Sequence, residues 1–240
     1  MLVMTDSAVT YELQDRVALI TIDDGKANAI SHVIAAGVHD ALERARSEAG
    51  AVVLAGRPGR FSAGFDLSVM TSSPEAARNL LKAGADIAIE IHGFPMPVAI
   101  ASTGHALAMG AILLMAADVR IGADGNFKIG LNEVAIGMPV PKFAVELART
   151  SLSNAAFTAA VNHATVYDPA GAVVAGYLDQ VVADDAVLTT ALAHAADLAE
   201  RLDSDAFALT RTNCRGASIE LIRSGLAADI ATFVVKAPEA

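Results

Sequence analysis

The run Ala51-Val52-Val53-Leu54-Ala55, ended by Gly56 and Pro58, is followed by Phe61-Ser62-Ala63-Gly64-Phe65-Asp66-Leu67. A β-branched run that stops at Gly and Pro has the pattern of a buried strand. The small residues after it predict a tight turn that leaves backbone N–H groups pointing into space. Such a turn can bind an anion, or the oxyanion that develops on a polarised carbonyl.

Outward from this stretch the pattern repeats. Val17-Ala18-Leu19-Ile20-Thr21-Ile22 reads as a strand, and Tyr11 to Leu13 can pair with it in a hairpin. Ser31 can cap a helix running to about Ser47, in which Val33, Ile34, Val38 and Leu42 recur at helical spacing. A helix over about Pro74 to Ile91, with Pro at its first position, follows the turn. Then come a strand at Pro97 to Ala101, a loop at Gly104 to Ala108, a helix at Met109 to Ala117, and short strands at Val119 to Gly122 and Phe127 to Ile129. Strand and helix alternate at intervals shorter than a doubly wound nucleotide fold gives, and no GxGxxG motif opens a helix. The expectation is an α/β spiral of strand, strand, helix turns over residues 1–183. Residues 184–240 read as a helical region, with Val187, Leu188, Leu192, Ala195 and Leu198 on one stripe, and are expected to make subunit contacts.

Composition narrows the function classes. The 240 residues are 54% hydrophobic and only 18% charged, more apolar area than one surface easily hides, which points to an oligomer. A net charge of −10 with no Lys/Arg run excludes a nucleic-acid partner. A polyanionic small molecule still needs a local cationic spot, which Lys26, Arg57 and Arg60 could provide if they are not ordinary solvated surface. Cys214 stands alone, so no intramolecular disulfide forms, and it is expected to be a small buried hydrophobe. Met1 to Ser7 lacks the basic start and apolar core of a secretory signal, so the expected location is cytoplasmic. Ile91 to Ala117 contains no Asp, Glu, Lys or Arg, but Pro95, Pro97, Gly104 and Gly110 interrupt it; a buried strand, turn and helix fit better than a membrane span. The histidines show no metal-ligand spacing backed by Cys or clustered carboxylates, so no metal is expected.

Two strand-to-turn segments, around Phe61 to Leu67 and Gly104 to Gly110, each lead into a helix and can offer one N–H apiece to a single carbonyl oxygen. With Asp24-Gly25-Lys26-Ala27-Asn28-Ala29-Ile30, with Pro97 through Arg120, and with Glu133-Val134-Ala135-Ile136-Gly137-Met138-Pro139, they run through residues 10 to 180 in an order that resembles the crotonase family of enoyl-CoA hydratases and isomerases. The resemblance implies a crotonase-like spiral of ββα turns with a C-terminal helical oligomerisation region, assembled as a homotrimer or hexamer. It also implies an acyl-CoA substrate, with coenzyme A as part of that substrate and no permanently bound cofactor. The oxyanion donors implied are the backbone N–H groups of Phe65 and Met109. Met109 departs from the family's usual run of three glycines, and its side chain is expected to crowd the site. Lys26, Ala27, Asn28 and Ala29, with Ala63, Gly64, Asp66 and Leu67, match the family's coenzyme A stretches.

Hydratases of this family use two glutamates to activate and orient water. Here the first position is Ile112 and the second is Glu133, a pattern similar to the Δ3,Δ2-enoyl-CoA isomerases, which work with one carboxylate. One base suffices to take a proton from Cα and return it at Cγ while the thioester oxygen is held as an enolate. The apolar neighbours Leu131, Val134, Ile136 and Met138 are expected to raise the Glu133 pKa. Hydration of a 2-enoyl-CoA is the alternative activity, and a non-catalytic acyl-CoA binder the alternative from another class. His105 beside the second turn is read as a core or subunit-contact residue, and Asp66 and Asp118 as ties for turns and helix ends.

Overall fold

The computed structural model describes residues 8–233. The readings of Met1 to Ser7 and of the chain beyond Phe233 therefore lie outside the described residues. Strand β1 (Val9–Gln14) pairs antiparallel with β2 (Val17–Ile22), forming the expected hairpin. Strands β3 (Ala51–Ala55), β5 (Val98–Ser102), β7 (Val119–Ala123) and β9 (Gln180–Val182) continue this sheet in parallel, in the order β1-β2-β3-β5-β7-β9. Between them, β4 (Gly59–Ser62), β6 (Gly104–Leu107) and β8 (Ile129–Gly130) form a second, three-stranded parallel sheet. After the opening hairpin, the pairs β3-β4, β5-β6 and β7-β8 each leave one strand in each sheet before the next helix, which is the crotonase spiral.

One correction concerns Gly104 to Ala108, expected to be a loop: Gly104–Leu107 is β6. It pairs with β4 so closely that a Cβ on Gly104 would run into the Gly59 carbonyl. That backbone approach, and not a run of apolar side chains, makes this short strand.

The helices are α1 (His32–Glu48), α2 (Leu67–Met70), α3 (Pro74–His92), α4 (Met109–Ala116), α5 (Lys142–Ser151), α6 (Asn154–Val161), α7 (Pro169–Ala175), α8 (Val187–Arg201) and α9 (Ser204–Thr232). Ser31 caps α1 by accepting from the Ile34 N–H, and Ser73 caps α3 with Pro74 at its first position. The period-two alternation of the strands separates two cores. Ala18, Ile20, Val52, Leu54 and Ile100 face α1, α3 and α4. Val17, Leu19, Val53, Ala99 and Ala101 face Val187, Ala191, Ala195 and Ala199 of α8. The buried stripe of α8 is therefore mostly alanine and serves its own chain's sheet, while Leu188 and Leu192 are only partly buried.

Helix α9 is clamped to the spiral by charge. Arg211 Nη2 lies 2.7 Å from Asp118 Oδ2, and Arg215 Nη2 lies 2.9 Å from Asp118 Oδ1. Asp118 Oδ2 also accepts from the Val98 N–H, as a tie between elements should. Arg215 Nη1 donates to the Ala116 carbonyl at the end of α4. Cys214, on the same helix, is exposed in this chain; its expected burial is overturned because it lies off the face that carries Arg211 and Arg215. Among the described residues no helix is long and apolar enough to cross a membrane, and Ile91 to Ala117 divides into the end of α3, β5, β6 and α4.

Candidate active site

The turn after β4 is held by the loop before α1. Ile30 N donates to Gly64 O at 2.7 Å, Asp66 N donates to Ile30 O at 3.0 Å, and Ala63 N donates to Ala27 O at 3.0 Å. Lys26 to Ala29 and Ala63 to Leu67 are thereby brought side by side. The side chain of Asn28 is fully buried and serves this loop: Nδ2 donates to Ile22 O at 2.8 Å and Oδ1 accepts from Asp24 N at 3.0 Å. Asp66 caps α2, its carboxylate accepting from Ser68 N and Ser68 Oγ, which holds its pKa below the usual carboxylate range.

In a parallel bridge between Ile30 and Phe65, Ile30 spends both of its backbone groups, so the Phe65 N–H turns to the opposite side. It meets no acceptor among the described residues. Met109 is the first residue of α4, and its N–H belongs to the helix's unpaired first turn, with no side-chain cap on Ala108. The two donors lie close, since a Cβ placed on Gly64 would stand 3.5 Å from the Met109 nitrogen. The expected crowding by the Met109 side chain does not occur. That side chain is fully buried against Gly84 of α3, where the Phe65 ring also packs.

Glu133 follows β8 and opens the short 3-10 turn Val134–Ile136. It is 6% exposed, and its Oε2 has no hydrogen-bond partner. Burial pushes its pKa up to about 7, against the opposing pull of the backbone N–H groups of Asn132 and Glu133. The source of that burial differs in part from expectation: Val134 and Ile136 are 45% and 52% exposed. Glu133 instead lines a cavity of about 80 Å3 with Ala63, Phe65, Ala108 and Ile112, to which Ile136 contributes one wall. Ile112 is fully buried there, so a carboxylate and an apolar side chain share one small space beside two free N–H groups.

Other polar groups lie elsewhere. His39, Glu43 and Glu90 gather their ligand atoms within 4.8 Å, a grouping that α3 completes and sequence spacing did not reveal. Arg46 already supplies the cation there, at 2.7 Å from Glu43 and 3.1 Å from Glu90, beside a cleft of about 780 Å3 between α1 and α3. His105 Nδ1 accepts from the Lys128 N–H and its ring meets Phe127 edge-on. Arg57 reaches Asp23 at 3.2 Å and the Lys26 carbonyl at 2.7 Å, so it braces the loop.

Sequence reasoning missed Asn132, Met70 and Phe233, which also line the cavity, and Phe233 arrives from the far end of α9. It also missed Ala108, which adopts φ +48° and ψ −118°, a conformation that favours glycine. The usual glycine run of the resembling family was the signal available for Ala108; nothing local pointed to Phe233.

A family model for enoyl-CoA hydratase/isomerase matches residues 12–236. Human mitochondrial enoyl-CoA delta isomerase 1 is 30% identical over 195 residues, covering 80% of this chain and 64% of that protein. A probable enoyl-CoA hydratase of Bacillus subtilis is 33% identical over 142 residues, covering 58% of this chain and 54% of that protein. These matches span less than two thirds of the length of either curated relative. The crystal structure of an enoyl-CoA hydratase/isomerase family protein from Pseudomonas syringae superposes with a TM-score of 0.92 at 40% identity, over 95% of this chain and 98% of that one. The chain belongs to the enoyl-CoA hydratase/isomerase family.

Proposed function

We propose that the chain moves the double bond of a 3-enoyl-CoA to the 2-position with Glu133 as its single base. The observation that carries this reading is the sharing of one small cavity by Glu133 and Ile112. The thioester oxygen accepts from the N–H groups of Phe65 and Met109. Ionised Glu133 removes a proton from Cα, the negative charge spreads onto that oxygen as a dienolate, and protonated Glu133 returns the proton at Cγ. No water is consumed. Lys26 to Ala29 and Ala63 to Leu67 form the coenzyme A side of the site, and the assembly is a homotrimer or hexamer, in line with the exposed Leu209 and Leu221 on α9.

Purified protein given matched 2-enoyl and 3-enoyl thioesters tests this. The 3-enoyl substrate is expected to become the 2-enoyl isomer, and Glu133→Gln is expected to abolish the conversion. Unchanged turnover in that variant overturns the assignment.

A hydratase reading is favoured by one observation: Asn132 Oδ1, buried and without a partner, lies in the same cavity and can accept a hydrogen bond from a water. Loss of the conjugated absorbance of a 2-enoyl-CoA, dependent on Glu133, is the outcome that selects it.

A further inference from the structure

The cavity that holds Glu133 has an exposed rim and a buried inner wall. Leu67, Ile136 and Pro139, which line it, are exposed, whereas Met70 of α2, Leu81 of α3, Ile112 of α4 and Phe233 are all buried. Three of those buried residues belong to the spiral. Phe233 is the cap residue that follows α9, its N–H donating to the Ile230 carbonyl at 3.2 Å, and it brings an aromatic ring to the cavity from outside the spiral. The last turn of α9 is anchored at this point. Helix α5 has no side-chain cap from Pro141, which precedes it, and Asp229 of α9 takes that role. The buried Asp229 accepts through Oδ2 from the Lys142 N–H at 2.8 Å and from the Phe143 N–H at 3.4 Å. Asp229 and Phe233 stand one helical turn apart, and Pro141, next to the capped N–H groups, lines the same cavity. Phe233 is thereby tied to the start of α5, the helix that follows the Glu133 segment.

We propose that Phe233, held by Asp229, is the stop at the acyl end of this cavity and restricts the substrate to short-chain acyl-CoA thioesters of about four or five carbons. The inference rests on the reading of the cavity as the 3-enoyl-CoA site. With the thioester oxygen on the Phe65 and Met109 N–H groups and coenzyme A on the side of Ala63 to Leu67, the carbons beyond Cγ run toward the buried wall. That wall is apolar, as an alkyl chain requires, and it is close. A cavity of about 150 Å3 holds one benzene molecule, six carbons in all. At about 80 Å3 this one takes about half as many, three or four carbons beyond the thioester carbonyl. A longer chain has to displace the Phe233 ring, and the Asp229 cap opposes that displacement.

The experiment is titration calorimetry with saturated thioesters, butanoyl-, hexanoyl-, octanoyl- and decanoyl-CoA, on wild type, Phe233→Ala and Asp229→Ala. In an open apolar channel each added methylene tightens binding about fourfold, so octanoyl-CoA would bind on the order of 100-fold tighter than butanoyl-CoA. With the stop in place, octanoyl-CoA is expected to bind wild type at least about tenfold more weakly than butanoyl-CoA. Phe233→Ala is expected to raise the octanoyl-to-butanoyl affinity ratio by at least about tenfold, and Asp229→Ala to raise it in the same direction by less. If Phe233→Ala folds poorly, Phe233→Leu, which shortens the side chain, is expected to give a smaller rise. A wild type that binds octanoyl-CoA as tightly as butanoyl-CoA, or a ratio that rises in neither Phe233 variant, overturns the inference. Because saturated thioesters bind without turnover, an active Glu133→Gln would reject the isomerase reading and leave the acyl limit to be judged by the ratio.

Discussion

Gly64 and Ala108 approach so closely that a Cβ on Gly64 would stand 2.8 Å from the Ala108 Cβ and 3.2 Å from the Leu107 carbonyl oxygen. Gly64 also sits at φ +100°, where L side chains are strained. Gly64→Ala should therefore wedge apart the two turns that aim the Phe65 and Met109 N–H groups. The expected loss is at least about 100-fold in kcat/KM, the scale of one lost oxyanion donor. Denaturant melts should show a destabilisation of about 1–3 kcal/mol. Wild-type kinetics in this variant would show that the turns do not hold the reacting carbonyl.

Ala108 carries the complementary strain. Its positive φ at the start of α4 favours glycine, and it holds the Met109 N–H in place. Ala108→Gly should relieve the strain and stabilise the fold by about 1 kcal/mol net of the added freedom of the unfolded chain. Turnover should stay within a few-fold of wild type, because the donor is a backbone group. A drop in melting temperature would count against the strain argument.

These two positions show which part of the site was legible in the sequence. Strands β2, β3 and β5 and helices α1, α3 and α4 were visible because apolar runs and helical spacing are local signals and Ser31 and Pro74 mark helix starts. The pairing of Glu133 with Ile112 came from resemblance, and the structure adds that they share a cavity. Strand β6 was hidden because glycine contact, not side-chain alternation, forms it. Phe233 and the exposure of Cys214 depend on where α9 docks, which no local pattern encodes.

That docking has its own test. Asp118 answers both Arg211, which is buried, and Arg215, whose guanidinium also serves the carbonyls of Ala116 and Ala117. Asp118→Ala would leave two largely buried cations without their carboxylate, at a cost of about 3–5 kcal/mol. Because α9 ends at Phe233 in the cavity wall, preference among acyl chain lengths should loosen in the same variant. Calorimetry with a series of acyl thioesters reads both effects, and an unchanged melting temperature would remove Asp118 as the clamp.

The pH dependence separates catalysis from stability. With a Glu133 pKa of about 7, kcat/KM should rise with unit slope up to about pH 7 and then level off, since the base must be ionised. Glu133→Gln should lower turnover by about 10²- to 10⁴-fold. For folding, the Glu133 pKa is raised from 4.5, so the native state holds its proton more tightly. Its contribution is complete below pH 4.5 and is lost as pH rises through about 7. His92 acts in the opposite sense: burial, with Arg215 nearby, lowers its pKa from 6.5 to about 4. Its contribution is complete above pH 6.5 and is lost as pH falls through about 4. Between pH 4.5 and 6.5 the two slopes oppose each other, and wild-type stability should vary little from these groups. In Glu133→Gln only the His92 slope remains, so chemical denaturation should find that variant gaining stability relative to wild type as pH rises from 4.5 to 7. A constant difference across that range would mean that Glu133 titrates with an ordinary carboxylate pKa and cannot be the poised base.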